Sequence, residues 1–265
     1  MAKVISFSNH KGGVSKTTLV VNISDALARE GYDVLIVDMD PQANATSMVY
    51  SFDEPPSVPV ELVLDNKAST AQAVIQNTRI DGVHLIGSSL LLGRVARMMQ
   101  VSSFAATSVL AEKLAPLQNT YDVIIIDTPP SLEFLPANAL AASDYVFVPV
   151  QSGSKLSLIG TDDMLSFIEQ GKKANPRLNF GGAILTRHDA RKRMHMLTAE
   201  AIKEYYGKCL TTTIPLTTEI EKAEALGLTI IQHNPDLSAS DQMRKLAREI
   251  VEITGLTKRA EEIEE

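Results

Sequence analysis

A short apolar run, Val4 to Phe7, leads directly into Asn9-His10-Lys11-Gly12-Gly13-Val14-Ser15-Lys16-Thr17-Thr18, and helical periodicity begins at Leu19-Val20-Val21-Asn22. Few arrangements restrict a chain as strongly as strand, glycine-rich loop, helix. Glycines let backbone N–H groups converge on one point, the helix start contributes the positive end of its dipole, and a lysine adds an ammonium. Gly12, Gly13 and Lys16 supply these parts, and the amides of Val14, Ser15 and Thr18 complete the cradle, so the segment suits a polyphosphate. Thr17 stands where a hydroxyl of such a loop ligates Mg²⁺ between the terminal phosphates. A plain glycine turn with exposed lysines would need neither the strand before nor the helix after.

The remainder of the chain fits the fold this opening demands. Apolar runs recur at 34–38, 83–86, 123–127, 145–149 and 182–185, with the first strand at 4–8, and several are apolar throughout, as strands covered on both faces should be. Helical patterns at 17–29, 89–117, 132–142, 156–174, 194–206, 219–226 and 240–253 alternate with them. The expectation is an α/β fold with a doubly wound, mainly parallel sheet flanked by helices. Without repeats or a Gly/Ser linker, residues 1–265 are expected to form one domain, with 53–59 a proline-marked loop and 258–265 a frayed acidic tail.

Composition narrows the function classes. With 45% hydrophobic and 22% charged residues the chain is globular rather than disordered. The 25 basic and 32 acidic residues leave −7, so any nucleic acid must be met by a local patch. No apolar run is long enough for a secretory signal or a membrane span, so a soluble or at most peripheral protein is expected, and cysteine usage suits a reducing cytoplasm. The single cysteine, Cys209, allows no internal disulfide and no multi-cysteine cluster. The five histidines lack metal spacing and read as surface or loop residues, and Met194-His195-Met196 as helix packing.

Two further motifs end strands in carboxylates. Val34-Leu35-Ile36-Val37 delivers Asp38-Met39-Asp40-Pro41, and spacing of two sets Asp38 and Asp40 on one side of an extended chain, where they could share a hydrated Mg²⁺ and an attacking water. Val123-Ile124-Ile125-Ile126 ends in Asp127-Thr128-Pro129-Pro130, the form of a Walker B aspartate, which should hold a Mg²⁺ water. Strand ends of this kind form the ligand edge of open α/β sheets.

Against the common G-x-x-x-x-G-K-[ST] loop, His10 and Ser15 replace the two glycines and Lys11 is added. This form resembles the deviant Walker A motif of the ParA/MinD family of dimeric P-loop ATPases, and the resemblance extends through Pro136-Ala137-Asn138 and Val148-Pro149-Val150-Gln151. It implies ATP and Mg²⁺ as cofactors and a homodimer formed with ATP. It implies that Lys11 reaches the partner's phosphates, that Lys16 holds this chain's own, and that Thr17, Asp38 and Asp127 serve the metal. Asp40 then orients or activates the hydrolytic water, and Pro215, in the turn Ile214-Pro215, edges the adenine. Hydrolysis should be slow alone and stimulated by a ParB-like or adaptor protein.

The family's output is either non-specific DNA, as in its ParA-type members, or a membrane, as in its MinD-type members with a basic amphipathic C-terminal helix. Here the chain ends Glu261-Glu262-Ile263-Glu264-Glu265, which anionic lipid repels, so no membrane is expected. The densest basic segment, Arg187-His188-Asp189-Ala190-Arg191-Lys192-Arg193, is the preferred DNA contact, through Arg187, Arg191, Lys192 and Arg193, and implies a nucleoid-associated protein. Glu219 occupies a position where many relatives carry an arginine; Arg244, Lys245 and Arg248 either compensate or simply face solvent. The expected function is partition or positioning of DNA or another cargo. Membrane positioning and ATP-dependent synthesis by an enzyme of the same fold are the alternatives.

Overall fold

The computed structural model describes residues 1–50, 59–65, 71–102, 106–153 and 155–259. Seven strands form one sheet: β1 (Lys3–Phe7), β2 (Val34–Asp38), β3 (Gln76–Asn77), β4 (Val83–Ile86), β5 (Val123–Asp127), β6 (Tyr145–Gln151) and β7 (Asn179–Thr186). Their order is β3-β4-β2-β5-β1-β6-β7, parallel throughout except for the short edge strand β3. The helices are α1 (Lys16–Arg29), α2 (Asn44–Val49), α3 (Val60–Leu64), α4 (Leu92–Ser102), α5 (Val109–Leu114), α6 (Phe134–Ala142), α7 (Thr161–Ala174), α8 (Arg193–Tyr206), α9 (Thr218–Ala225), α10 (Ile230–His233) and α11 (Ser238–Thr254). The expected doubly wound α/β architecture is present.

Alternation along the central strands explains why they read as continuously apolar. Ile5 and Phe7, Val34 and Ile36, and Val123 and Ile125 face one layer with Leu19, Val20, Ile23 and Leu27 of α1 and Met243, Leu246 and Ile250 of α11. Val4, Leu35, Val37, Ile124 and Ile126 face the opposite layer, built from α3 to α6. Both faces are therefore core, and each fully buried Ile or Leu contributes roughly 1.5–3 kcal/mol. A third apolar cluster joins β6 and β7 to α7 and α8.

The structure departs from the sequence pattern in four places. The expected helix over 156–174 begins only at Thr161, after a 3₁₀ turn and the left-handed Gly160. The expected helix over 89–117 divides into α4, α5 and a 3₁₀ turn, Ala115–Asn119, in whose first turn Pro116 sits, with no N–H to donate. The helices α2, α3 and α10 are too short for their periodicity to register, as is β3. Lys258 lies over the Tyr32 ring, 5.4 Å from its centroid, and Arg259 is ion-paired with Asp33 at 2.7 Å, so the start of the expected frayed tail is tied down. Residues 260–265 lie outside the described residues, as does the proline-rich loop except Pro59.

Candidate nucleotide site

Register brings the motifs together. Asp127 at the end of β5 is paired with Phe7 of β1 on one side and Asp38 of β2 on the other, so the phosphate loop and two carboxylates leave the sheet on three adjacent strands at its C-terminal edge. The loop is held from behind at several points. Asn9 Nδ2 donates to the Pro149 carbonyl (2.8 Å), the Lys11 amide donates to Asn9 Oδ1 (3.0 Å), and Thr186 Oγ1 donates to the Val14 carbonyl (3.2 Å). Gly13 and Ser15 both adopt left-handed backbone, at φ 71° and 70°. At Ser15 this conformation costs roughly 1–2 kcal/mol that a glycine would avoid, which accounts physically for the glycine common at that place. His10 packs against Gly160, itself left-handed, where any Cβ would meet the imidazole at 2.5 Å.

Lys16 is 7% exposed, and its Nζ donates to the Lys11 carbonyl at 3.0 Å, folded over the loop it belongs to. Burial lowers its pKa, while the charges of Asp127 and Asp40 pull it back up, so the three groups form one electrostatic unit. Thr17 Oγ1 donates to Asp127 Oδ2 at 2.7 Å. The other oxygen, Asp127 Oδ1, is buried without a hydrogen-bond partner among the described residues. Burial and the neighbouring Asp38 raise the Asp127 pKa well above the carboxylate range. A divalent cation would remove that penalty, so an orphaned carboxylate oxygen beside a threonine hydroxyl fits Mg²⁺.

Asp38 and Asp40 behave differently from an extended pair. The strand ends at Asp38, and the chain turns so that Asp38 Oδ1 accepts the Asp40 amide (3.0 Å) while Oδ2 accepts both the amide (2.9 Å) and the hydroxyl (2.7 Å) of Thr46. Asp38 thus organises the turn into α2, and burial pushes its pKa up to about 6 against those bonds. Asp40 Oδ1 accepts the Gln42 amide (2.9 Å), and the Asp40 carbonyl accepts from Ser88 Oγ (2.8 Å). The carboxylate of Asp40 remains near Lys16 and Asp127.

A cleft of about 410 Å³ opens beside Gly13, Thr17, Asn44 and Glu224. A smaller hollow of about 40 Å³ lies next to it, between Ser15, Thr18, Arg187, Pro215 and Glu224, so Pro215 stands at the phosphate loop's flank. Thr18 donates its hydroxyl to Glu224 Oε1 between the two. Thr186 and Glu224 are site residues that sequence patterns missed, because each acts through a contact distant along the chain.

The basic loop after β7 is less positive than its sequence. Arg187 pairs with Glu221 at 3.3 Å, and Asp189 binds Arg191 through two nitrogens (2.9 and 3.1 Å) with Lys192 at 3.8 Å. Those contacts hold the Asp189 pKa down to about 2. The loop is anchored by Ser152 Oγ, which lies 3.0 Å from His188 Nδ1 and 3.1 Å from His195 Nδ1. His195 therefore points inward, whereas Met194 (45% exposed) and Met196 (50% exposed) do not pack as expected. His84 lies within β4 against Tyr121, not in a loop. Glu219 pairs with Lys222, Lys245 with Asp241, and Arg248 with Glu30, while Arg244 donates to the Pro235 carbonyl. Among the described residues no group of three metal-ligating side chains occurs, and no helix is long and apolar enough to cross a membrane.

A phosphate loop between β1 and α1, with carboxylates at the ends of β2 and β5, defines a P-loop nucleotide hydrolase. The profile AAA_31, an AAA domain, matches residues 2–180. The chain is 34% identical to the sporulation initiation inhibitor protein Soj of Bacillus subtilis, over 94% of this chain and 98% of that protein. It is 30% identical to the chromosome partitioning protein ParA of Caulobacter vibrioides, over 94% of each. A Mycobacterium smegmatis structure described as cobyrinic acid a,c-diamide synthase, bound to an ATP analogue and magnesium, superposes with a TM-score of 0.80 at 30% identity, over 94% of this chain and 93% of that one. The cell division ATPase MinD of Pyrococcus furiosus does so at 0.78 and 26% identity, over 96% and 100%. The chain belongs to the ParA/MinD family of P-loop ATPases, enzymes that hydrolyse ATP and use Mg²⁺.

Proposed function

We propose that this ATPase is a ParA-type nucleotide switch. ATP closes two copies face to face, the pair holds duplex DNA without reading its sequence, and a ParB-like or adaptor protein triggers hydrolysis and release. The observation that carries the reading is the division of one loop between two lysines. Lys16 is buried on the side of Thr17 and Asp127. Lys11 lines a separate open hollow of about 530 Å³ with His10, Gly12, Gln151 and Ile159. A second cation on the outer flank suits phosphates carried by a facing copy.

In this reading Lys16 and the amides of Gly12, Gly13, Val14, Ser15 and Thr18 hold the phosphates. Thr17 and Asp127 would hold Mg²⁺, which would supply charge neutralisation for the phosphates, and Asp38 fixes the adjoining turn. Asp40 positions the water, and Pro215 flanks the base. The chain turns over ATP slowly by itself, because the nucleotide sets a state rather than feeding a pathway. It works in the cytoplasm, on the nucleoid. Thr17→Ala is expected to raise the Mg²⁺ concentration for half-maximal ATP turnover by about tenfold, consistent with one lost ligand. An unchanged Mg²⁺ titration would remove Thr17 from the metal site.

DNA is met at the loop holding Arg187, Arg191, Lys192 and Arg193, where phosphate contacts give salt-sensitive binding. The test is retention of unrelated duplex by the protein with ATP, ADP or no nucleotide, with light scattering alongside. ATP-dependent binding by a dimer is expected. Replacing Arg191, Lys192 and Arg193 together by alanine should weaken it at least ~tenfold and flatten its salt dependence, with ATP binding unchanged. Undiminished retention would return the loop to ordinary surface. An ATP dimer indifferent to DNA, with turnover that requires a small-molecule acceptor, would favour a synthetase.

A further inference from the structure

The outward side of α4 mixes exposed apolar and basic residues where a surface helix is ordinarily polar. Leu92 and Ala96 are buried in the second core layer, and Val95 and Met99 pack against it. On the other side Leu91 and Met98 are each 60% exposed and Val101 90% exposed, with Leu90 at 76% just before the helix. Positions 94, 98 and 101 are three or four apart, so Met98, Val101 and Arg94 form a stripe beside exposed Arg97, which the exposed Leu90 and Leu91 of the preceding turn extend. By contrast α11 buries its apolar side and turns Asp241, Lys245 and Arg248 outward. The sequence of α4 contains two arginines and no acidic residue, in a chain whose net charge is −7.

A crevice of about 230 Å³ runs alongside, between α4 and the loop after β5, lined by Pro41, Ala96, Arg97, Pro129, Glu133 and Phe134. The helix rests on the turn that carries Asp40: a Cβ at Gly93 would lie 3.6 Å from the Pro41 ring.

We propose that α4 and its crevice receive an amphipathic helical segment of another protein, apolar on one side and acidic along its edge. The stripe offers anchors at helical spacing, the usual means by which a helix seats on a partner. The two arginines select acidic neighbours, and Glu133 on the far wall fixes the direction in which they lie. The crevice is concave, which a polypeptide can fill and a flat lipid surface cannot. Because Pro41 lines the crevice, an occupant presses on the residue next to Asp40 without entering the nucleotide cleft. That consequence for turnover rests on the function proposed above; the docking itself does not.

The test uses the full chain and three probes: a fluorescein-labelled amphipathic peptide of leucines and glutamates, its counterpart with every glutamate replaced by lysine, and vesicles of phosphatidylserine and phosphatidylcholine. By anisotropy the glutamate peptide should bind at least ~tenfold more tightly than the lysine peptide, reflecting complementary charge. Leu91→Ser combined with Met98→Ser should abolish that binding, and Arg94→Glu with Arg97→Glu should reverse the preference. Circular dichroism and ATP binding of both variants should match the parent, which separates lost docking from lost fold. Equal binding of both peptides, or no reversal, would overturn the proposal. Vesicle capture without peptide discrimination would assign the stripe to a lipid surface, and loss of the ATP dimer in the Leu91/Met98 variant would assign it to a contact between copies; either overturns it. Peptide discrimination without DNA retention would leave this inference standing while the partition reading fell.

Discussion

Lys16→Ala is expected to weaken ATP binding at least ~100-fold, measurable by titration calorimetry in the presence of Mg²⁺. The ammonium is almost wholly buried and lies within the field of Asp127 and Asp40. Removing it leaves Asp127 and Asp40 facing a polyphosphate, with only the loop amides and Mg²⁺ to offset the repulsion. Loss of charge-assisted hydrogen bonds at about 1.5–3 kcal/mol each accounts for the size of the effect. Lys11→Ala should behave differently: it lines the outer hollow, so ATP still binds the single chain while dimerisation suffers. Equal loss of monomer affinity in both variants would mean that the two lysines share one task.

Asp40→Ala should leave ATP affinity within a few-fold of the parent while lowering turnover by about 10²–10⁴-fold, the usual range for a positioned base. Asp40 Oδ1 also accepts the Gln42 amide, so alanine frees a backbone donor as well as removing a charge. Asp40→Asn retains an acceptor there and isolates the charge; its turnover should fall comparably. Single-turnover hydrolysis under saturating ATP is the decisive measurement, and unchanged rates in the asparagine variant would take Asp40 out of the chemistry. Asp38 gives no such clean separation. Its oxygens accept three hydrogen bonds that set the turn into α2, so Asp38→Ala should lower the melting temperature as well as activity.

The strands were legible because burial on both faces writes itself into sequence as unbroken apolar runs, and β2 and β5 fall where those runs stand. The phosphate loop was legible because glycine and lysine are the only cheap solution to its geometry. What sequence could not reveal lies in contacts across long chain separations. Glu224 meets Thr18, and Thr186 meets Val14, through packing of layers that no local pattern encodes. The basic loop shows the same limit for charge: its four cations were visible, but that Glu221 and Asp189 pair with three of them emerges only once side chains have positions. The spacing of Asp38 and Asp40 suggested a shared direction, and the turn at Asp40 changed it, because an aspartate that can accept a following amide ends a strand.

Thr186 is the last residue of β7, and its hydroxyl clamps the Val14 carbonyl of the phosphate loop. The next residue, Arg187, begins the basic loop in left-handed backbone at φ 50°. The two loops are therefore joined by one peptide bond and one hydrogen bond, a lever with almost no arm. Moving Val14 therefore alters a hydrogen bond, worth about 0.5–1.5 kcal/mol, that is made one residue before the arginine-bearing segment begins. The phosphate loop and the basic loop thus share an anchor at the end of β7.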